Sequence, residues 1–197
     1  MSYQNKDHIY VKEKAVDSLF CDAAIHWLDN KPLWTNPHGY YTVDTHHIDD
    51  TEFGFILDIV HENFITYRDE CYPFLQDMYC DWGMESTFNL QKYKPGQCYS
   101  PEHMEHGNDD ITCLRLLGWM VYLNDVNDGG ETYWPQQKFK KSARKGDLLI
   151  WPAGWTHSHY GIVSNTEYKY ILTGWYSFNR LISERERRKM EGEAVPE

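Results

Sequence analysis

The segment Leu116–Leu123, with the sequence LLGWMVYL, decides the fold class of this chain. It is apolar along nearly its whole length, which predicts a strand covered on both faces. The turn signal NDGG follows at residues 127–130, and a second turn signal, KGD, stands at residues 145–147. Short strands separated by such turns are typical of a β-sandwich or jelly roll rather than of a parallel sheet.

Other short segments, aromatic and β-branched, flank this strand and fill the chain after residue 85. The predicted strands are Thr87–Tyr93, Leu114–Leu123, Glu131–Trp134, Asp147–Trp151, Ser158–Val163 and Tyr168–Phe178. Together they assign a jelly-roll core, or double-stranded β-helix, to residues 85–179.

The N-terminal part of the chain has helical periodicity instead. Apolar residues recur at three-four spacing over Ala15–Leu28, and again over about Thr51–Cys71. Residues 1–84 are therefore predicted to be helical support within the same domain, and the mostly charged residues 180–197 to be a solvated tail. The predicted fold class is α+β, mainly β.

The composition disfavours several classes of function. The 197 residues carry 30 acidic and 19 basic side chains, a formal net charge of −11, so nucleic acid is not expected as a partner. Aromatic residues make up 16% of the chain, which excludes disorder for most of it. No apolar run reaches the roughly 18 residues that a membrane span requires, so no membrane association is expected.

The cysteines indicate a reducing compartment. They stand at positions 21, 71, 80, 98 and 113, and no CxxC pair occurs. An odd number without paired spacing disfavours both a disulfide framework and a structural zinc cluster. Because the N-terminal residues also lack the apolar core of a secretory signal, a cytoplasmic location is expected. The sequence makes no prediction of the oligomeric state.

The first candidate for chemistry is the segment His103-Met104-Glu105. On a strand, residues i and i+2 point to the same face, so this imidazole and carboxylate could take two neighbouring positions on one metal ion. A histidine from a distant strand would complete a facial set of three with open positions, as in non-heme Fe(II) oxygenases. An isolated HxE pair is also compatible with an exposed polar loop.

The second candidate is the run WTHSHYG at residues 155–161. His157 and His159 have the same parity, so strand geometry does not separate them, and either could be the third ligand. An HxH pair can also bind zinc, although the HExxH helix of the common zinc hydrolases is absent.

The third candidate is Lys169. In the last predicted strand it shares a face with Ile171, Thr173 and Trp175. A lysine on a buried face is costly unless an anion meets its ammonium group. The alternative is that this face is exposed to solvent at a sheet edge, and the pattern alone leaves both open.

These pieces form an ordered set of motifs that resembles a known family. The set is Tyr93-x-x-Gly96-x-x-Tyr99, His103-x-Glu105, Arg115, Tyr122-Leu123-Asn124-Asp125, Gly129-Gly130-Glu131-Thr132, Lys145-Gly146-Asp147, His159-x-Gly161, Lys169 and Trp175. Over residues 88–178 the chain is similar to the Fe(II)- and 2-oxoglutarate-dependent dioxygenases. Within them it most resembles the prolyl 4-hydroxylase group, and in texture its small bacteriophage-type members.

The resemblance implies a role for individual residues. The implied metal ligands are His103, Glu105 and His159. In the family, a glycine and a basic residue follow the distal ligand at fixed distances. Gly161 and Lys169 match those distances from His159 and not from His157. Lys169 and Tyr122 would then hold the distal carboxylate of 2-oxoglutarate, and Tyr93 would line the same pocket.

The chain also departs from the family pattern. The acid is Glu105, where prolyl hydroxylases usually have aspartate, and the spacing from Tyr99 to His103 is one residue longer than usual. Glu102 and His106 flank the motif and remain alternative ligands. Arg115 matches a family arginine and is expected to form a structural ion pair. Residues 35–47 and 107–111 could form lids, although ordinary surface loops are the default expectation.

The implied cofactors are Fe(II), 2-oxoglutarate and O2, with ascorbate as a reductant. The implied reaction is hydroxylation of a substrate C–H bond with release of succinate and CO2. The substrate class that the resemblance implies is a prolyl residue in a peptide or protein, as for procollagen-proline 4-dioxygenases. Two alternatives stay open: a hydroxylase of a free amino acid or small metabolite, and a non-catalytic jelly-roll binding module.

Overall fold

The computed structural model describes residues 3–30, 34–35, 41–43, 50–77, 82–85 and 88–178. Within them, the helices are α1 (Ser18–Asp29) and α2 (Asp50–Thr66), and a π-helical turn at Tyr67–Cys71 continues α2. The strands are β1 (Gln4–Lys6), β2 (Ile9–Lys12), β3 (Trp34–Thr35), β4 (Tyr41–Val43), β5 (Trp82–Met84), β6 (Asn89–Tyr93), β7 (Arg115–Tyr122), β8 (Thr132–Trp134), β9 (Phe139–Lys141), β10 (Leu148–Pro152), β11 (Tyr160–Gly161) and β12 (Lys169–Phe178). Short 3-10 turns lie at Pro73–Asp77, Thr112–Leu114 and Trp155–His157.

The strands form two antiparallel sheets. The main sheet has the order β1-β2-β10-β7-β12-β6-β4-β3, and β5 pairs with β12 beside this path. The smaller sheet has the order β11-β8-β9. The predicted α+β, mainly β class is confirmed, and the apolar segment that decided it is the central strand β7.

Two apolar clusters show how the layers are packed. On one face of the main sheet, Trp119 of β7 lies in a cluster with Leu28 of α1 and Val60 of α2. On the other face, Met120 of β7 packs in a cluster with Trp134 of the smaller sheet. The helices therefore cover one face, and the smaller sheet covers the other.

The first helix begins later than its periodicity predicted. The segment from Ala15 to Asp17 approaches α1 in an extended conformation at Asp17, whose side chain accepts the Leu19 N–H at 2.8 Å. The Val16 N–H donates to the carbonyl of Gly146 at 3.0 Å, which commits this stretch to a loop contact. The second helix, with its π-helical continuation, spans the predicted range.

Residues 1–84, which were predicted to be helical support, also contain short strands. Strands β1 and β2 form a hairpin, and β2 adds to the main sheet beside β10. Ile9, Tyr10 and Val11 of β2 are buried, but a run this short carries no readable periodicity. The short strand β9 was missed for the same reason, and the predicted strand Ser158–Val163 shrinks to Tyr160–Gly161.

Some predictions concern residues outside the described ranges. The charged segment 180–197, Cys80 and most of the candidate lid at 35–47 lie there. In the described part, the cysteines at positions 21, 71, 98 and 113 are free thiols. No helix in the described ranges combines the length and the apolar character that a bilayer crossing requires.

Candidate active site

A cavity of about 370 Å³ opens between the two sheets. Its walls come from β6, β7, β8, β10, β11 and β12 and from the segment between β6 and β7. The walls include Tyr93, His103, Glu105, His159 and Lys169, together with Arg115 and Trp175. All the site residues expected from the sequence therefore line one cavity, except Tyr122.

Three of these side chains converge at one point. Candidate ligand atoms of His103, Glu105 and His159 lie within 4.8 Å of one another. Nε2 of His159 is 3.2 Å from Oε1 of Glu105, and the two imidazole centroids are 4.4 Å apart. His159 is buried, and the other two side chains are half-buried.

The backbone around this cluster is held by hydrogen bonds, although residues 103–105 lie outside the regular strands. His103 and His159 form an isolated antiparallel bridge, in which their backbone groups exchange hydrogen bonds of 3.0 and 2.9 Å. The Glu105 N–H donates to the carbonyl of Ala153 at 3.0 Å. These bonds join segments that are far apart in the chain, so they leave no local pattern in the sequence.

The ring orientation of both histidines is set by backbone carbonyls. Nδ1 of His103 is 3.0 Å from the oxygen of Pro101, and Nδ1 of His159 is 3.0 Å from the oxygen of His157. A carbonyl oxygen only accepts, so each Nδ1 carries the proton of its hydrogen bond. In each ring Nε2 is then the nitrogen available to a metal ion, and such outer contacts are usual at metal-binding histidines.

The carboxylate of Glu105 is held from two sides. The Trp175 indole N–H donates to its Oε2 at 2.6 Å, while Oε1 faces His159. Burial raises the pKa of Glu105, but the hydrogen bond and electrostatic interaction with His159, with smaller contributions from His103 and Trp175, lower the pKa to about 2. The group is therefore an anion at neutral pH.

The donor set fits a divalent transition metal. Two imidazole nitrogens and one carboxylate oxygen meet at the wall of a cavity, and the rest of that cavity is open to other ligands. Two histidines and one carboxylate with open positions are the ligands of non-heme Fe(II) oxygenases. The residues present thus suit Fe(II).

Lys169 is a buried cation on the same cavity wall. Its side chain is 7% exposed, and in the described part of the chain it has neither an ion pair nor a hydrogen bond. Its ammonium nitrogen lies 5.3 Å from the ring centroid of Tyr122. Burial lowers its pKa to about 8, although the charges of Cys98 and Glu131 act in the opposite direction. An anion bound in the cavity would relieve this cost.

The two tyrosines take different positions. Tyr93 lies directly across from Lys169 in the β6–β12 pairing, lines the cavity and donates its hydroxyl to Oε1 of Gln91 at 2.5 Å. The Tyr122 hydroxyl lies 2.7 Å from Oγ1 of Thr132 and does not reach the cavity wall. Thr132 lines the cavity in its place, so Tyr122 can act on a ligand only through its ring or through Thr132.

Arg115 forms the ion pair that was expected. Its Nε is 3.2 Å from Oε1 of Glu85, and its Nη2 is 3.4 Å from Oε2. The guanidinium group also lies 3.5 Å from the ring centroid of Trp175. The sequence offered no signal for this stacking, because the two residues are far apart in the chain.

The alternative ligands turn away from the cluster. Nε2 of His157 is 2.9 Å from the carbonyl oxygen of Asp7, so this imidazole ties the β1–β2 turn to the core. Glu102 accepts the Ser158 hydroxyl at 2.6 Å, and His106 hydrogen-bonds the carbonyl of Arg115. The 3-10 turn that ends at His157 separates it from His159, which strand parity alone could not do.

The candidate lid at residues 107–111 forms part of the cavity rim. Gly107 and Asp109 line the cavity, and Oδ1 of Asp109 accepts the N–H groups of Ile111 and Thr112 at 3.0 and 2.9 Å. These bonds give the segment a defined turn. Ile111 and Asp110 are exposed beside it.

Comparison with known proteins agrees with this geometry. Residues 88–177 match the family model described as the 2OG-Fe(II) oxygenase superfamily. This part of the chain belongs to that superfamily. Fe(II), 2-oxoglutarate and O2 are accordingly its cofactors, and the resemblance stated from the sequence motifs is confirmed. No curated protein sequence matches the chain.

Solved structures share the fold of this chain. The viral collagen prolyl hydroxylase of Paramecium bursaria Chlorella virus-1, in its 2OG complex, has a TM-score of 0.70 at 21% identity, covering 86% of this chain and 96% of that one. A Pseudomonas putida prolyl-4-hydroxylase has a TM-score of 0.65 at 15% identity, covering 87% and 93%. A Trichoplax adhaerens prolyl hydroxylase, in complex with a hypoxia inducible factor peptide fragment, has a TM-score of 0.66 at 13% identity, covering 88% and 84%. The fold is thus prolyl-hydroxylase-like.

Proposed function

We propose that this dioxygenase hydroxylates a prolyl residue in a peptide or protein and releases succinate and CO2. The observation that carries the proposal is the content of one cavity. A two-histidine, one-carboxylate cluster lines it together with a buried ammonium group that has no ion pair among the described residues. A lapsed binding module would have no need to retain both features.

The metal would be held by His103, Glu105 and His159. When bound, Fe(II) supplies the redox chemistry that couples decarboxylation of 2-oxoglutarate to oxidation of a substrate C–H bond. The protein contributes orientation. The carbonyls of Pro101 and His157 hold the two imidazoles in the tautomer that presents Nε2.

Lys169 would bind the distal carboxylate of 2-oxoglutarate. A charge-assisted hydrogen bond to that carboxylate would satisfy an ammonium group that is otherwise buried without an ion pair or hydrogen bond in the described part of the chain. Tyr93 and Thr132 line the same cavity and would complete the polar contacts. Tyr122 would support them by packing beside the ammonium and holding Thr132.

The substrate class is supported by the relatives and by charge. Structural neighbours include a collagen prolyl hydroxylase and a prolyl hydroxylase in complex with a peptide fragment. Near the cavity rim, Glu102, Asp109 and Asp110 are exposed acids. They favour a peptide with basic residues beside the reacting proline.

The test is turnover with proline-containing peptides that differ in flanking charge. With Fe(II), 2-oxoglutarate and ascorbate, we expect succinate and a prolyl peptide that has gained one oxygen atom by mass spectrometry. Basic flanks should raise kcat/KM, and Asp110→Asn should weaken that preference. If succinate forms while a free amino acid gains the oxygen atom and the peptides remain unchanged, the small-metabolite alternative would be supported instead.

A further inference from the structure

The cavity face of the main sheet carries a row of three residues beneath the metal cluster. Gly118 of β7 pairs with Trp151 of β10 on one side and with Trp175 of β12 on the other. Directly paired residues point to the same face of a sheet. The glycine therefore leaves a gap between two indole rings.

The edge of the Trp151 ring and the side chain of Glu105 share this gap. A Cβ added at Gly118 would lie 3.1 Å from Cγ of Glu105 and 2.8 Å from the ring of Trp151. Cγ is the methylene group that distinguishes glutamate from aspartate. The missing side chain at position 118 thus gives space to the part of the ligand that aspartate would lack.

The far end of Glu105 is fixed by Trp175. The indole N–H donates to Oε2 at 2.6 Å, which leaves Oε1 as the oxygen facing His159. The indole is itself fixed, because Arg115 stacks 3.5 Å from its ring centroid and is held by Glu85. The hydrogen bond therefore selects which carboxylate oxygen is offered to a metal.

The backbone at this position cannot move inward to help a shorter side chain. The N–H groups of Glu105 and His106 both donate to the carbonyl of Ala153, at 3.0 and 3.2 Å. His103 is joined to His159 by its own pair of backbone hydrogen bonds. A carboxylate one methylene shorter would fall short of both Trp175 and the cluster.

We propose that Gly118 and Trp175 are positioning residues that make this metal centre specific for glutamate at position 105, with Oε1 as the metal-binding oxygen. The proposal rests on the proposed function, because it takes Glu105 to be a metal ligand. It explains why glutamate rather than aspartate stands at position 105: the space at Gly118 and the hydrogen bond from Trp175 fit the longer side chain. Glu105→Asp is consequently not a conservative change in this protein.

The test is anaerobic titration of the metal-free protein with Co(II), which reports affinity and, through its visible absorption, ligand geometry. Glu105→Asp, which shortens the ligand, and Trp175→Phe, which removes the hydrogen bond that holds it, are each expected to weaken Co(II) binding by about tenfold or more, a figure typical for loss of an outer contact. Both should also change the shape of the Co(II) spectrum. Phenylalanine keeps the ring beneath Arg115 and removes only the indole donor.

The matched control is Trp119→Phe. Trp119 neighbours Gly118 in β7, is fully buried on the opposite face, and its indole N–H has no hydrogen-bond partner in the described part of the chain. This variant should bind Co(II) with the wild-type affinity and spectrum. A spectrum that changes equally in the control would assign the effect to general loosening and overturn the proposal.

Different results would overturn the assignment of Glu105 as a ligand and the positioning role of Gly118 and Trp175. If the wild-type protein bound no Co(II), or Glu105→Ala bound it as tightly as wild type, the ligand assignment itself would be wrong. Suppose instead that wild type bound Co(II), that Glu105→Ala did not, and that both Glu105→Asp and Trp175→Phe matched wild type. Glu105 would then remain a ligand, and only the positioning role of Gly118 and Trp175 would be overturned.

Discussion

The ammonium group of Lys169 is buried in the cavity wall and forms no ion pair with the described residues. Its position was readable from the sequence, because it alternates with tyrosines along β12 and shares a face with Ile171 and Trp175. Whether that face was buried was not readable. It depends on the smaller sheet, which closes over the cavity from distant segments.

Replacing this ammonium group should affect stability and ligand binding with opposite signs. Lys169→Met keeps the length of the side chain and removes a buried charge, so the unfolding free energy of the ligand-free protein should rise. The same change should weaken 2-oxoglutarate binding by about 3 kcal/mol, roughly 100-fold. Urea unfolding and calorimetric titration measure the two effects. A variant that lost stability and bound 2-oxoglutarate normally would contradict the assigned role.

The same residue predicts a pH dependence. Burial lowers the pKa of Lys169 to about 8 in the folded protein from its ordinary value of 10.5, so the unfolded chain binds more protons between these limits. The contribution of Lys169 therefore destabilises the fold fully below pH 8 and fades as the pH rises towards 10.5, a gain of about 3 kcal/mol. Unfolding free energies of wild type minus Lys169→Met, measured across this range, isolate it. If this difference in unfolding free energy stayed constant with pH, Lys169 would not be a buried ammonium group without an ion pair.

The two histidines of the HxH run should behave differently. His159→Ala removes a member of the cluster and should abolish Co(II) binding and succinate formation. His157→Gln changes a side chain that hydrogen-bonds the Asp7 carbonyl outside the cluster, so metal affinity should remain within about twofold of wild type. Isothermal titration with Co(II) compares them. If His157→Gln lost Co(II) binding and His159→Ala kept it, His157 rather than His159 would be the metal ligand.

Among the secondary-structure elements, the long ones were predictable and the short ones were not. The strands β7 and β12 carry enough apolar or alternating residues to be read directly, and α1 and α2 show clear helical spacing. Strands such as β2 and β9 have too few residues for a period to emerge. The bridge that joins His103 to His159 is non-local, so its geometry had to come from the fold.

Gly118 is the position at which strand β7 approaches the side chain of Glu105. Gly118→Ala places a methyl group 2.8 Å from the Trp151 ring and 3.1 Å from Cγ of Glu105, so either group must shift. We expect a loss of unfolding free energy of about 1–3 kcal/mol, as for other overpacked sites. Metal affinity should fall as well. Urea unfolding with and without Co(II) measures both, and a fully tolerated alanine would show that the gap is not needed.

At the scale of the whole molecule, the fold places a small polar centre between two apolar sheets. The helices support the outer face of the main sheet and do not contribute to the described cavity walls. The N-terminal hairpin belongs to the same sheet as the site, because β2 pairs with β10, which carries Trp151. The jelly roll and its cavity thus depend on residues from both parts of the chain that the sequence had separated.

The net charge of −11 opposes the approach of a dianionic cosubstrate, and the buried ammonium group of Lys169 places a positive charge in the cavity wall. The sequence predicted the cofactors through an ordered set of motifs, and the family match confirms them. It could not predict how the glutamate ligand is held. That depends on three strands meeting side by side.

The central claim is that one cavity holds Fe(II) at His103, Glu105 and His159 and holds 2-oxoglutarate at Lys169. The most direct measurement is the visible metal-to-ligand charge-transfer band after anaerobic addition of Fe(II) and 2-oxoglutarate to the metal-free protein. The account predicts a band in wild type, none in His159→Ala, and in Lys169→Met a band that needs far more 2-oxoglutarate. No band in folded, metal-loaded wild type, or an unchanged titration in Lys169→Met, would contradict it.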